Sequence, residues 1–143
     1  MAPQFDRPED TFRMLHMPGD TQIDAATLRA YGTAVLCIAN ADGVIAPAEA
    51  EHIGAFLQAY GGESVWKELE QQRPPSDDLL PSLDVALRGK YGTWVRGTFL
   101  LTAIQTAKAD GEYDSAEEHL FRVAAEHMGL DPDSVGDFAD FAF

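Results

Sequence analysis

Two short acidic stretches, ADGVIAPAE at residues 41–49 and ADGEYDSAE at residues 109–117, carry the residue types in this chain that could do chemistry. Each has an Asp-Gly pair, a hydrophobic residue two positions after the Gly and a Glu seven positions after the Asp: Asp42, Gly43, Ile45, Glu49, then Asp110, Gly111, Tyr113, Glu117. In a calcium loop of the EF-hand type these would be the fifth, sixth, eighth and twelfth positions, which need an oxygen ligand, a glycine, a hydrophobic anchor and a bidentate Glu. The match covers half of a site. The first loop position holds Ile38 in one stretch and Thr106 in the other, and the third holds Asn40 and Lys108. An ammonium group cannot coordinate a cation, so neither stretch is an independent EF-hand. Their separation of 68 residues also exceeds that of ordinary paired EF-hands.

Two readings of these residues stand. In the first, a pseudo-twofold packing joins the two turns and pools their oxygens around one divalent cation, Ca²⁺, Mg²⁺ or Mn²⁺. Asp42, Glu49, Asp110 and Glu117 are then the first-choice metal ligands, with Asn40, Glu112 and Asp114 as second choices. Ala46, where the second stretch has Asp114, makes the first half-site thinner. In the second reading no metal is needed. Asp42 and Asp110 favour tight turns, Gly43 and Gly111 supply positive φ, and Glu49 and Glu117 interact with orphan N–H groups at a helix start.

The elements that must position these turns form a repeat. Residues 31–61, YGTAVLCIANADGVIAPAEAEHIGAFLQAYG, align without a gap on residues 99–129, FLLTAIQTAKADGEYDSAEEHLFRVAAEHMG. Identities concentrate in the turn: Ala39/Ala107, Ala41/Ala109, Asp42/Asp110, Gly43/Gly111, Ala48/Ala116 and Glu49/Glu117, with Gly61/Gly129 at the end. After each turn an apolar stripe recurs at i, i+3, i+4 and i+7, as Ile53, Phe56, Leu57, Tyr60 and as Phe121, Ala124, Ala125, Met128. Both units read as helix, short turn, helix.

Punctuation sets the helix limits. A first helix over about 24–40 has Asp24 as its N-cap, apolar residues at Leu28, Tyr31, Val35 and Ile38, and a stop at Asp42-Gly43. The next starts with Pro47 at its first position and ends at Gly61-Gly62. In the second unit Asp114 and Glu117 form a capping box, and that helix ends at Gly129. Between the units, 63–72 and 76–87 read as short helices separated by Arg73-Pro74-Pro75, with Pro81 tolerable only in a first turn. Asp131-Pro132-Asp133 opens a last helix to about Phe141, and 9–17 could add a turn or two. No segment alternates long enough to argue a strand. The expected fold class is all-α, about seven helices, with two pseudo-symmetric helix-turn-helix units in one bundle-like domain spanning 1–143 and a loosely ordered N-terminal arm over 1–22.

Composition narrows the function classes. The chain has 143 residues, and its 24 acids against 10 bases give a net charge of −14. Such a surface repels nucleic-acid phosphate, so no direct nucleic-acid partner is expected. Forty-five per cent hydrophobic residues exclude a disordered acidic chain. The longest uncharged apolar stretches, 30–41 and 97–107, fall well short of the roughly 20 residues that span a bilayer. No basic segment followed by an apolar run opens the sequence, and the single cysteine, Cys37, lies in an apolar run, so a cytoplasmic location fits.

Charge is uneven along the chain. Arg88, Lys90, Arg96 and Lys108 fall in a stretch with no acid, which gives either ordinary charge neutralisation or one basic helix face, with Tyr91 and Trp94, suited to an acidic protein partner or peripheral contact with an anionic membrane. Weaker motifs carry less. Glu49 and His52 satisfy Glu-x-x-His, but the equivalent of His52 is Leu120, so a di-iron centre lacks its second motif and His52 reads as a surface histidine. His119 and His127 are too far apart for a helical zinc pair. Cys37 lacks the electropositive exposure of a nucleophile. No catalytic constellation emerges.

With its two hairpins carrying ADGVIAPAE and ADGEYDSAE, about seven helices and acidic composition, the chain resembles the TerB-like domain of tellurite-resistance TerB proteins, related to the N-terminal region of DjlA-type membrane co-chaperones. The resemblance runs from about 24 to 140. It implies an all-helical, internally pseudo-symmetric fold, acidic residues that bind divalent metal, a role in stress-linked complexes and no established catalysis. Asp42, Glu49, Asp110 and Glu117 are the positions that match. The expected function is therefore a non-enzymatic metal-binding and protein-interaction module; the alternative is a metal-free scaffold that docks a partner through the basic face, and a carboxylate-metal enzyme is a distant third.

Overall fold

The computed structural model describes residues 23–110 and 115–134. Among these residues are six α-helices: α1 (Ala25–Ala39), α2 (Pro47–Ala59), α3 (Glu63–Leu69), α4 (Leu79–Arg88), α5 (Gly92–Ala107) and α6 (Ser115–His127). Three 3₁₀ turns, Ser76–Asp78, Lys108–Asp110 and Pro132–Ser134, complete them. No strand occurs among the described residues, so the fold is all-α with a helix count close to the expected seven.

Local signals behave as their chemistry requires. Asp24 caps α1, its Oδ2 accepting from Thr27 N–H at 3.2 Å and its Oδ1 from the Thr27 hydroxyl at 2.7 Å. Pro47 stands at the first position of α2, where its missing N–H costs nothing. Gly43, Gly61 and Gly129 have φ of +88°, +82° and +75°, the left-handed backbone that each turn or helix end demands. Pro81 falls in the first turn of α4. The α1 and α5 boundaries also correspond: moved along the chain by 68 residues, Ala39, Pro47 and Ala59 fall on Ala107, Ser115 and His127, which bound α5 and α6.

Two helices are mostly buried, and both are central. Eleven of the fifteen residues of α1 and eleven of the sixteen of α5 are buried, which amphipathic surface helices do not allow. α1 packs against each of the other five helices, and α5 packs against α1, α2, α4 and α6. The apolar stretches too short for a bilayer are thus the inner pair of a bundle. α2, α4 and α6 lay one apolar face against them, with Ile53, Leu57, Leu83, Phe121 and Ala124 buried. Where α1 and α5 meet, Tyr31 and Phe99 are in edge contact at 5.4 Å between ring centres. These two residues stand 68 positions apart, at equivalent places in the two aligned sequence stretches.

The core carries one polar seam. Thr98, Thr102 and Thr106 stand one turn apart on α5, and their hydroxyls donate to the carbonyls of Trp94, Thr98 and Thr102. Tyr31 brings its phenol to 2.9 Å from both Thr98 and Thr102. Back-bonding of this kind lets threonine sit inside a buried helix without orphaned groups. Cys37 is buried between these elements, and burial pushes its thiol up to about 12, consistent with a small apolar packing role.

Candidate functional site

The first acidic turn follows α1. Asn40 is its C-cap, and Asp42 Oδ1 accepts from Val44 N–H at 3.0 Å, an Asx turn that leads into the positive φ of Gly43. α2 begins at Pro47, and Glu49 in its first turn accepts from Ala46 N–H at 2.9 Å. This is one half of a capping box, because the methyl of Ala46 cannot make the other half. The sequence places the box in the second unit, at Asp114 and Glu117; Asp114 lies outside the described residues.

Glu49 and Glu117 are the two buried acids among the described residues, with 4% and 5% exposure. They hold the same position in the aligned units, each at the start of a second helix. Removing a carboxylate from water costs several kcal/mol unless hydrogen bonds or a cation compensate, so two such residues at matched places are a strong local feature.

Asn40 adds a third oxygen. Its Nδ2 donates to the Pro74 carbonyl at 3.2 Å, which fixes the amide orientation because that acceptor can face only the NH₂ group. Its Oδ1 is buried and has no hydrogen-bond partner among the described residues. A buried amide oxygen left in that condition is normally matched by water or an ion.

Packing exchanges partners between the units. The Lys108–Asp110 turn of the second unit packs against α2, the helix that starts with Pro47 and Glu49, and α6, which carries Glu117, packs against α1. Each acidic helix therefore lies against the other unit. Of the expected ligands, the described residues supply Asn40, Asp42, Glu49 and Glu117. The side chain of Asp110, together with Glu112 and Asp114, lies outside them. Among the described residues no three His, Cys, Asp or Glu side chains form a metal-holding cluster. The oxygens present are hard donors, suited to Ca²⁺, Mg²⁺ or Mn²⁺ rather than to a thiophilic ion.

His52 is a residue that spacing alone misplaces. It stands on α2, one turn after Glu49, but is half-buried rather than on a solvated face, and its Nδ1 is 2.9 Å from Thr106 Oγ1. Since the Thr106 hydroxyl spends its proton on the Thr102 carbonyl at 2.8 Å, His52 must be the donor, which selects the Nδ1–H tautomer and leaves a lone pair on Nε2. The sequence signal was present in Thr106, which stands where a calcium loop would have its first ligand. Burial lowers the His52 pKa below 6.5. A histidine held neutral in the fold takes up its proton more readily when unfolded, so its contribution is intact above about pH 6.5 and is lost as pH falls toward the folded-state value. In urea titrations at about pH 7.5 and pH 5, His52→Gln should lose less stability on acidification than wild type; equal losses would remove His52 from the account.

The basic face also changes. Trp94 is 8% exposed and packs within 5.2 Å of Tyr60 and 5.0 Å of Tyr31, so it belongs to the core and not to an exposed basic surface. Lys90 lies 5.5 Å over the ring of Tyr91, and Arg88, Lys90 and Arg96 are exposed. No described helix is long and apolar enough to cross a membrane.

Comparison with known proteins gives one match. A family model described as "Tellurite resistance protein TerB" matches residues 28–139, from the first core leucine of α1 onward. No curated protein and no solved structure matches the chain.

Proposed function

We propose a binding role without catalysis for this chain, which belongs to the tellurite-resistance TerB family: its two acidic turns hold one hard divalent cation, and the cation-bound form meets a protein partner in a tellurite-type stress response in the cytoplasm. The observation that carries this reading is the buried, unpartnered Oδ1 of Asn40 in the first turn. The buried Glu49 and Glu117 support it as anionic oxygens at matched helix starts. Asp42 and Asp110, with Glu112 and Asp114, are proposed to complete the shell. When bound, the cation would neutralise these carboxylates and cross-link the two units.

The test is calorimetric titration with Ca²⁺, Mg²⁺, Mn²⁺ and Zn²⁺, with thermal unfolding in parallel, on wild type, Asp110→Asn and Glu117→Gln. One of the hard ions should stabilise the fold by about 2.7 kcal/mol at a hundredfold excess over Kd, and each substitution should weaken binding about tenfold or more. No stabilisation at millimolar metal would sink the reading.

A metal-free scaffold is the second reading. It is favoured by the oxygens of Asp42 and Glu49 that already accept from Val44 and Ala46 N–H, since capping then accounts for both residues. Under it, Asp42→Asn lowers stability equally with and without added ion.

A further inference from the structure

A cleft of about 460 Å³ opens where the α4–α5 junction faces the end of α6. Lys90, Arg96 and His127 line it, and Leu87 and the buried Met128 give it an apolar side. That volume lies in the range of small-ligand sites. Gly92 and Thr93, the first two residues of α5, also line it. Tyr91 at the N-cap makes no side-chain capping bond and Gly92 N–H donates to the Gly89 carbonyl at 3.1 Å, so of these two lining residues Thr93 brings the first-turn N–H at the positive end of a sixteen-residue helix.

Among the described residues that line the cleft none is Asp or Glu, so its local charge is positive although the chain as a whole is acidic. Arg96 and Lys90 make no ion pair among the described residues; Lys90 lies over the Tyr91 ring and within electrostatic reach of Asp24. His127 reaches Asp84 at 2.6 Å, but Asp84 does not line the cleft. Arg96 extends to Gly129, where an added Cβ would lie 3.4 Å from its Nη2. The exposed guanidinium thus lies beside the end of α6. At about 0.1 M salt charges more than about 10 Å away are largely screened, so the local cations outweigh the distant net charge.

We propose that this cleft binds a small phosphomonoester: the phosphate takes Arg96, Lys90 and the Thr93 N–H at the start of α5, and the organic body packs on Leu87 and Met128. Arginine offers a fork of donors for the phosphate oxygens, and a helix N-terminus complements the same charge. The site is independent of the acidic turns.

Phenyl phosphate is the probe, with phenol as the neutral control and sodium chloride at matched ionic strength. Amide shifts followed by ¹⁵N NMR should saturate at Thr93, Arg96 and Gly129 with phenyl phosphate, more weakly with inorganic phosphate, and not with phenol. Arg96→Gln should weaken binding about tenfold or more, as expected for losing charge-assisted hydrogen bonds. Because a cation near the end of α6 also favours that helix, the thermal midpoint of Arg96→Gln is measured beside it. Lys90→Gln, at an exposed position outside any helix and with no ion pair among the described residues, should weaken binding with little change in the midpoint. Equal shifts in sodium chloride, unchanged affinity in both variants, or binding to phosphatidic acid vesicles without saturable binding to phenyl phosphate would overturn the proposal.

Discussion

Tyr31→Ala should destabilise the domain by about 3–5 kcal/mol, the range for removing a large buried aromatic side chain. Tyr31 is fully buried and sits at the centre of a ring cluster, 5.2 Å from Phe56, 5.0 Å from Trp94 and 5.4 Å from Phe99. Those contacts tie α1 to α2 and to α5 at once, so the cavity cannot close by moving one helix. Tyr31→Phe isolates the phenol. The Thr98 and Thr102 hydroxyls keep the Trp94 and Thr98 carbonyls as acceptors, so its loss should be near 1 kcal/mol. Urea unfolding of both variants checks the pair. Comparable losses in the two would mean that the polar seam, and not ring packing, holds α1 against α5.

Gly92→Ala should cost about 3 kcal/mol, at the upper end of overpacking. A Cβ there would collide with the Leu87 carbonyl oxygen, and that oxygen is backbone at the end of α4, which no rotamer can move aside. The start of α5 must shift away from α4. Gly43→Ala is the useful contrast. At φ +88° it has nothing within 4 Å, so only the left-handed strain of about 1–2 kcal/mol applies. Thermal unfolding should rank Gly92→Ala below Gly43→Ala. The reverse order would show that the α4–α5 junction yields easily.

Several parts of the fold were legible in the sequence because short-range chemistry decides them. Asp24 immediately before a helical run, Pro47 at a first position, and glycines at 43, 61 and 129 each fix a backbone state with partners three or four residues away. The inner pair of helices shows in the sequence only as apolar stretches at 30–41 and 97–107 too short for a bilayer; packing is what makes them the centre of the bundle. The apolar stripes at Ile53, Leu57 and Tyr60, and at Phe121, Ala124 and Ala125, are buried as their spacing requires. Periodicity names a face, but it does not name what covers that face. This is why Trp94 reads as part of a basic surface and is found in the core, and why His52 reads as solvated and is found bonded to Thr106, 54 residues away.

The candidate site divides along the same line. Residue types and their matched places in two turns were present in the sequence: Asp42 with Asp110, Glu49 with Glu117. By itself the sequence determined an all-helical chain, its caps and turns, and a set of hard oxygen donors, since these follow from side-chain chemistry and from hydrogen bonds that close within one helical turn. Tertiary structure alone decided that the Lys108–Asp110 turn packs on α2, that Asn40 turns its amine to Pro74 and buries its oxygen, and that Lys90 and Arg96 share a cleft with the end of α6. Each of these depends on which helices meet and at what angle, a choice made by packing the whole core at once and not by any local pattern.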